Sequence, residues 1–90
     1  MGYALYPAFD LKDMNKFEAI VSSPAGLFDL LIVDHKTNEV LGNCTSPGTG
    51  SFTKFIPVTC DIKPRDEITD IRLIFTKQIC LKSFRFYNER

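Results

Sequence analysis

Few side chains in this sequence could carry chemistry, and their spacing limits what kind. The only imidazole, His35, falls in the run Asp34-His35-Lys36-Thr37-Asn38, with no serine or cysteine nucleophile patterned around it. It reads as a solvated turn residue, and with Asp34 alone it makes no metal site. Asp66 and Glu67 are adjacent, and adjacent residues on a strand point to opposite faces, so they do not pair as acid and base across one glycosidic bond. They read as part of a polar turn from Lys63 to Glu67. Asp10, Lys12, Asp13, Asn15 and Lys16 read as a solvated loop in which Asp10 or Asp13 could touch a calcium ion. The expectation is a protein that binds rather than catalyses.

Cys44, Cys60 and Cys80 cannot all pair within one chain, and none stands in the C-x-x-C spacing of zinc or redox sites. Cys60 lies in an apolar strand pattern and Cys80 follows Ile79, where a small hydrophobe belongs, so buried free thiols are expected. One disulfide is compatible with the sequence, and spacing does not choose among its three pairings.

The aromatic residues say more. Eight Phe and three Tyr in ninety residues are more than so small a core readily hides. An exposed ring flanked by small polar residues is how proteins grip a pyranose: the C–H face of the sugar lies on the π face, and nearby hydroxyl or amide groups orient it. Phe52, at the end of Thr45-Ser46-Pro47-Gly48-Thr49-Gly50-Ser51, fits that description. If Phe52 instead faces the core, Phe55 becomes the outward ring.

The elements that must position these groups are strands. Apolar residues alternate or run in short blocks, punctuated about every ten residues by Gly, Pro, Asn or Asp, and no helical period is present. Strands are expected at Tyr3 to Phe9, Lys16 to Ser22, Leu27 to Asp34, Glu39 to Asn43, Phe52 to Ile62, Thr69 to Thr76 and Ile79 to Tyr87. Phe17, Ala19 and Val21 alternate with polar neighbours, as do Ile71, Leu73 and Phe75, and these two sets are the expected core. Leu27 to Val33 is apolar on both faces apart from Asp29, as a central strand requires. Pro57 interrupts its strand in a way that only an edge or a bulge tolerates. The predicted fold class is all-β, an antiparallel two-sheet sandwich of jelly-roll type, with residues 1–90 forming one domain.

Composition excludes several functions. Eleven Lys plus Arg balance eleven Asp plus Glu, and no basic stripe tracks a phosphate backbone, so nucleic acid is not an expected partner. The longest apolar run, Leu30 to Val33, is too short to cross a bilayer, and no membrane association is expected. The first residues lack the basic and apolar regions of a signal peptide, so any export signal is expected to lie outside these residues.

From Tyr3 onward the order of features resembles the family 6 carbohydrate-binding modules. The segments that carry the likeness are Tyr3-Ala4-Leu5-Tyr6, Lys16 to Ser22, Leu31-Ile32-Val33-Asp34 with Val40-Leu41-Gly42, Gly48-Thr49-Gly50-Ser51-Phe52, Val58-Thr59-Cys60, Thr69 to Phe75, and Leu81 to Phe86. The resemblance implies a galactose-binding-like β-sandwich lacking the family's first strands. It further implies an extracellular, non-catalytic module that holds a polysaccharide or oligosaccharide and is covalently attached to a glycoside hydrolase. Phe52 stands where the family has a tryptophan and would be the stacking platform, with Tyr3 and Gln78 as further sugar contacts.

The departures carry weight as well. A sugar-contacting asparagine of the family corresponds to Cys80, a poor hydrogen-bonding group. The acid that helps hold the family's structural calcium corresponds to Lys82, and the neighbouring tryptophan to Ser83, so no cofactor is expected. The alternative is a structural or protein-interaction sandwich that has lost sugar binding. A sandwich without its first strands leaves strand edges open to pairing with another domain or chain.

Overall fold

Alternating side chains close into seven antiparallel strands in the computed structural model, which describes residues 2–89. They are β1 (Gly2–Asp10), β2 (Lys16–Ser23), β3 (Phe28–Asp34), β4 (Val40–Ser46), β5 (Ser51–Asp61), β6 (Ile68–Phe75) and β7 (Cys80–Tyr87). No helix occurs among the described residues. All seven strands expected from the pattern are present, with ends displaced by at most a few residues.

The strands form a four-stranded sheet in the order β1-β6-β3-β4 and a three-stranded sheet in the order β5-β2-β7. The chain changes sheet at every connection except the β3–β4 hairpin, which is the jelly-roll manner of covering one sheet with the other. Asp34 shapes that hairpin, because its Oδ1 accepts the backbone N–H groups of Lys36 at 2.9 Å and Thr37 at 3.3 Å. Asn38 takes the positive φ the turn needs, 62°. Arg65 then ties the hairpin to the loop before β6, with its Nη2 2.6 Å from Glu39 Oε1 and 3.4 Å from Asp34 Oδ2.

The core lies between the sheets. Phe17, Ala19 and Val21 of β2 face Phe28, Leu30 and Ile32 of β3 and Ile71 and Leu73 of β6, all of them buried. Phe75 is only half-buried, at the end of β6 where the sandwich opens. β3 is central, between β6 and β4, which explains its apolar run. Pro57 lies in β5, an edge strand of its sheet, where a missing N–H leaves no gap in a central ladder.

The cysteine expectation needs correction. Cys44 of β4 and Cys60 of β5 form a disulfide with Cα atoms 5.2 Å apart, joining the edges of the two sheets. Cys80 is a free, exposed thiol rather than a buried one. Ile79 packs inward against the core, and the next residue on the chain turns outward.

Candidate functional site at the loop end

Two adjacent serines at the end of β2 organise one end of the sandwich. Ser22 and Ser23 are fully buried, so every polar atom they carry must find a partner. The Ser22 hydroxyl donates to the carbonyl oxygen of Phe52 at 2.8 Å. The Ser23 hydroxyl donates to the carbonyl oxygen of Gln78 at 2.7 Å and accepts the N–H of Ala25 at 3.1 Å. Its carbonyl accepts the N–H groups of Thr49 at 3.0 Å and Gly50 at 3.1 Å, and its own N–H donates to Thr49 Oγ1 at 3.0 Å. Three connections, residues 24–27, 47–50 and 76–79, are thereby drawn to one point.

Glycine permits the closest of these approaches. Gly48 adopts φ +84°, and a Cβ there would run into the carbonyl oxygen of Ala25. The loop before β5 therefore packs its backbone directly on the β2–β3 turn.

Phe52 emerges from this framework with 40% of its surface exposed. Phe55 is exposed as well, at 39%, so the expectation that only one of the two faces outward is corrected. The reason is a slip in register: Val21 pairs with Ile56 and Ser23 with Ser51, so Ser22 alone stands opposite residues 52–55. Ser51 Oγ accepts the N–H groups of Thr53 and Lys54, both at 3.1 Å, and holds the slack as a bulge. Strict alternation fails there, and both rings reach solvent. The Lys82 ammonium sits 5.6 Å from the centre of the Phe55 ring, a cation–π contact.

Phe52 and Gln78 are brought into one framework, since neighbouring serines hold their backbones, and the Gln78 side chain is exposed. Tyr3 stands elsewhere. It is 69% exposed on β1, in the register row Tyr3–Ile74–Leu31–Asn43 of the four-stranded sheet, whereas Phe52 belongs to the three-stranded sheet. Exposed Leu27 adds apolar surface at the loop end. Ser22, Ser23 and Thr49 were not singled out from sequence, because buried serines in a strand look like any polar alternation until their partners are known.

Among the described residues no group of three His, Cys, Asp or Glu side chains comes together. Asp10 caps its own turn, accepting the N–H of Lys12 at 3.1 Å. His35 is exposed in its hairpin with Nδ1 3.3 Å from the Arg72 guanidinium, and Asp66 and Glu67 are exposed in their turn.

The sequence matches no protein-family model and no curated protein. Solved structures do match. A family 6 carbohydrate-binding module from Clostridium stercorarium in complex with cellobiose superposes with a TM-score of 0.87 at 21% identity, over 97% of this chain and 67% of that one. A family 6 module from Clostridium cellulolyticum in complex with xylose gives 0.86 at 25% identity, over 96% and 71%. A family 43 arabinoxylan arabinofuranohydrolase from Bacillus subtilis in complex with cellotetraose gives 0.84 at 14% identity, over 97% of this chain but 19% of that one. With two antiparallel sheets in this order and this agreement over nearly all its length, the chain has the fold of the family 6 carbohydrate-binding modules.

Proposed function

We propose that this chain is a non-catalytic carbohydrate-binding module that grips a glycan at the loop end, with Phe52 as the stacking platform and Gln78 as a hydrogen-bonding contact. The observation that carries this reading is the exposed Phe52 ring on a rim whose backbone is locked by Ser22 and Ser23. A platform held rigid before the ligand arrives loses little entropy on binding. Stacking with a few hydrogen bonds corresponds to a Kd on the order of 0.1–1 mM. Tyr3 lies outside this grip because it stands on the other sheet.

The reading extends to an attached glycoside hydrolase and an extracellular location. The matching fold occupies 19% of an arabinofuranohydrolase chain, and the Cys44–Cys60 disulfide suits an oxidising compartment. The gene region around the chain tests the attachment: a neighbouring hydrolase domain is expected in the same reading frame.

The rival reading, an interaction sandwich without sugar binding, expects the Phe52 ring to be buried, and its exposure favours the sugar-binding reading. Amide chemical shifts followed during titration with cello-, xylo- and β-1,3-linked gluco-oligosaccharides decide between them. Saturable movement at residues 49–53 and 76–79 is expected, and no movement there with any sugar would remove the assignment.

A further inference from the structure

Charge is divided between the two ends of the sandwich. The chain holds eleven basic and eleven acidic residues, but they are not evenly spread. The segments that build the loop end, residues 20–29, 45–56 and 74–82, contain Lys54, Lys77 and Lys82 and a single acid, Asp29. The segments of the opposite end, residues 10–16, 34–39, 61–68 and 87–89, contain eight acids against five Lys and Arg residues. A chain without net charge therefore presents a positive rim and a negative base.

Ion pairing sharpens the contrast. Among the described residues, Lys16, Lys63 and Arg65 find acidic partners at the opposite end, and Arg85 finds Glu18 on the three-stranded sheet. Asp29 is committed within its own sheet, where its Oδ1 accepts the Thr45 hydroxyl at 2.8 Å. Lys82 is engaged by the Phe55 ring. Lys54 and Lys77 are left, both exposed and neither joined to an acid.

These two lysines flank the proposed contacts. Lys54 follows Phe52 by two residues, and its N–H donates to Ser51 Oγ at 3.1 Å within the bulge. Lys77 directly precedes Gln78, whose carbonyl oxygen accepts from Ser23 at 2.7 Å. Ser22 holds Phe52 and Ser23 holds Gln78, and neighbouring α-carbons lie about 3.8 Å apart. Both lysines thus rise from backbone fixed around one point.

Resting on the sugar-binding reading of this rim, we infer that its ligand is an anionic glycan, which offers a carboxylate or a sulfate group to Lys54 and Lys77 while a ring of the same chain lies on Phe52. Each ammonium is a compact point charge with three donors on a flexible stem, so it follows an anionic substituent without a fixed geometry. A rim of one sign also draws an anionic polymer toward this end of the molecule, and the acidic base turns it away from the other. A neutral glycan would leave both charges unused.

The test is isothermal titration of the ninety-residue chain with xylotriose and cellotriose, each in neutral form, with one glucuronic acid unit, and with one sulfate ester. At low salt at least one charged form is expected to bind about fivefold tighter than its neutral parent, the size of one unit-charge attraction at contact in water. In about 0.5 M salt that preference should largely vanish, because exposed charges are screened. Lys54→Gln combined with Lys77→Gln should bring the ratio of charged to neutral affinity close to one, whereas Lys36→Gln, in the hairpin at the opposite end, should leave the ratio as it is. Tightening by the uronate alone, by the sulfate alone or by both supports the inference and tells which anion carries the charge. Equal binding of charged and neutral forms would overturn the anionic ligand and leave the sugar-binding reading standing; no binding of any of these sugars would remove both. A preference that survives the double substitution would also overturn it, since other groups would then hold the anion.

Discussion

Ser23 donates its hydroxyl hydrogen to the carbonyl oxygen of Gln78, 2.7 Å away, from a position with no solvent exposure. A strand at the centre of one sheet thereby sets the height of the turn between β6 and β7 on the same rim as Phe52. Ser23→Ala leaves the Gln78 carbonyl and the Ala25 N–H short of partners. The expected cost is about 1–3 kcal/mol in urea unfolding, with a loss of oligosaccharide affinity larger than stability alone accounts for. Unchanged affinity in a folded Ser23→Ala chain would show that the rim needs no such support.

Phe52→Ala is expected to cost about 1–2 kcal/mol of unfolding stability, because a little over half of the residue is covered, while oligosaccharide affinity falls about tenfold or more, some 1.4 kcal/mol beyond that. Phe52→Trp enlarges the stacking face and should tighten binding. Isothermal titration of the three proteins with one sugar checks both directions.

The Cys44–Cys60 bond closes a loop of sixteen residues and also clamps the two sheets along one flank. Cys60→Ala should lower stability by about 3 kcal/mol, and a reducing agent should lower the melting temperature of the unmodified chain in the same direction. Cys80→Ser, at an exposed free thiol, should change it by no more than about 0.5 kcal/mol. A reductant-insensitive melting temperature would contradict the pairing.

Gly48→Ala combines a left-handed backbone with a Cβ driven against the Ala25 carbonyl. The expected penalty is about 1–3 kcal/mol, concentrated at the loop end. Hydrogen exchange should speed up at Thr49 and Gly50 before it does in β3 or β6.

Glu39 contributes a pH dependence of known sign. Hydrogen bonds from Arg65 and then Lys63 hold its pKa below the ordinary 4.5. A depressed folded-state value means stabilisation that is present above the unfolded pKa and is lost as pH falls through the folded one. Glu39 and Lys63 are solvated enough for the effect to be small. The unmodified chain should exceed Glu39→Gln in stability at neutral pH, with the gap closing below about pH 4.5. A gap that widened toward acid would reverse the assignment.

Much of the framework was legible in the residues. Phe17, Ala19 and Val21 announced an inward face of β2, and Ile71 and Leu73 that of β6, because a pleated strand sends alternate side chains to opposite sides whatever its partner. Asp34 to Asn38 announced a hairpin through side chains that bond their own backbone. Pro57 announced an edge or a bulge, and its strand is an edge. The candidate site was legible only in part: Phe52 stood out as a ring after small polar residues, but Ser22 and Ser23, which hold the rim, did not.

Sequence by itself determined where the strands run, which faces are apolar and which loop ends in a ring, because these follow from sterics and burial within a few neighbouring residues. Tertiary structure alone decided that Cys44 pairs with Cys60, that Phe52 and Phe55 both reach solvent, and that Tyr3 stands on the other sheet. Each of these depends on register and on which strands become neighbours. Those are set by contacts between residues far apart in the chain, where a slip of one position reverses every side chain that follows.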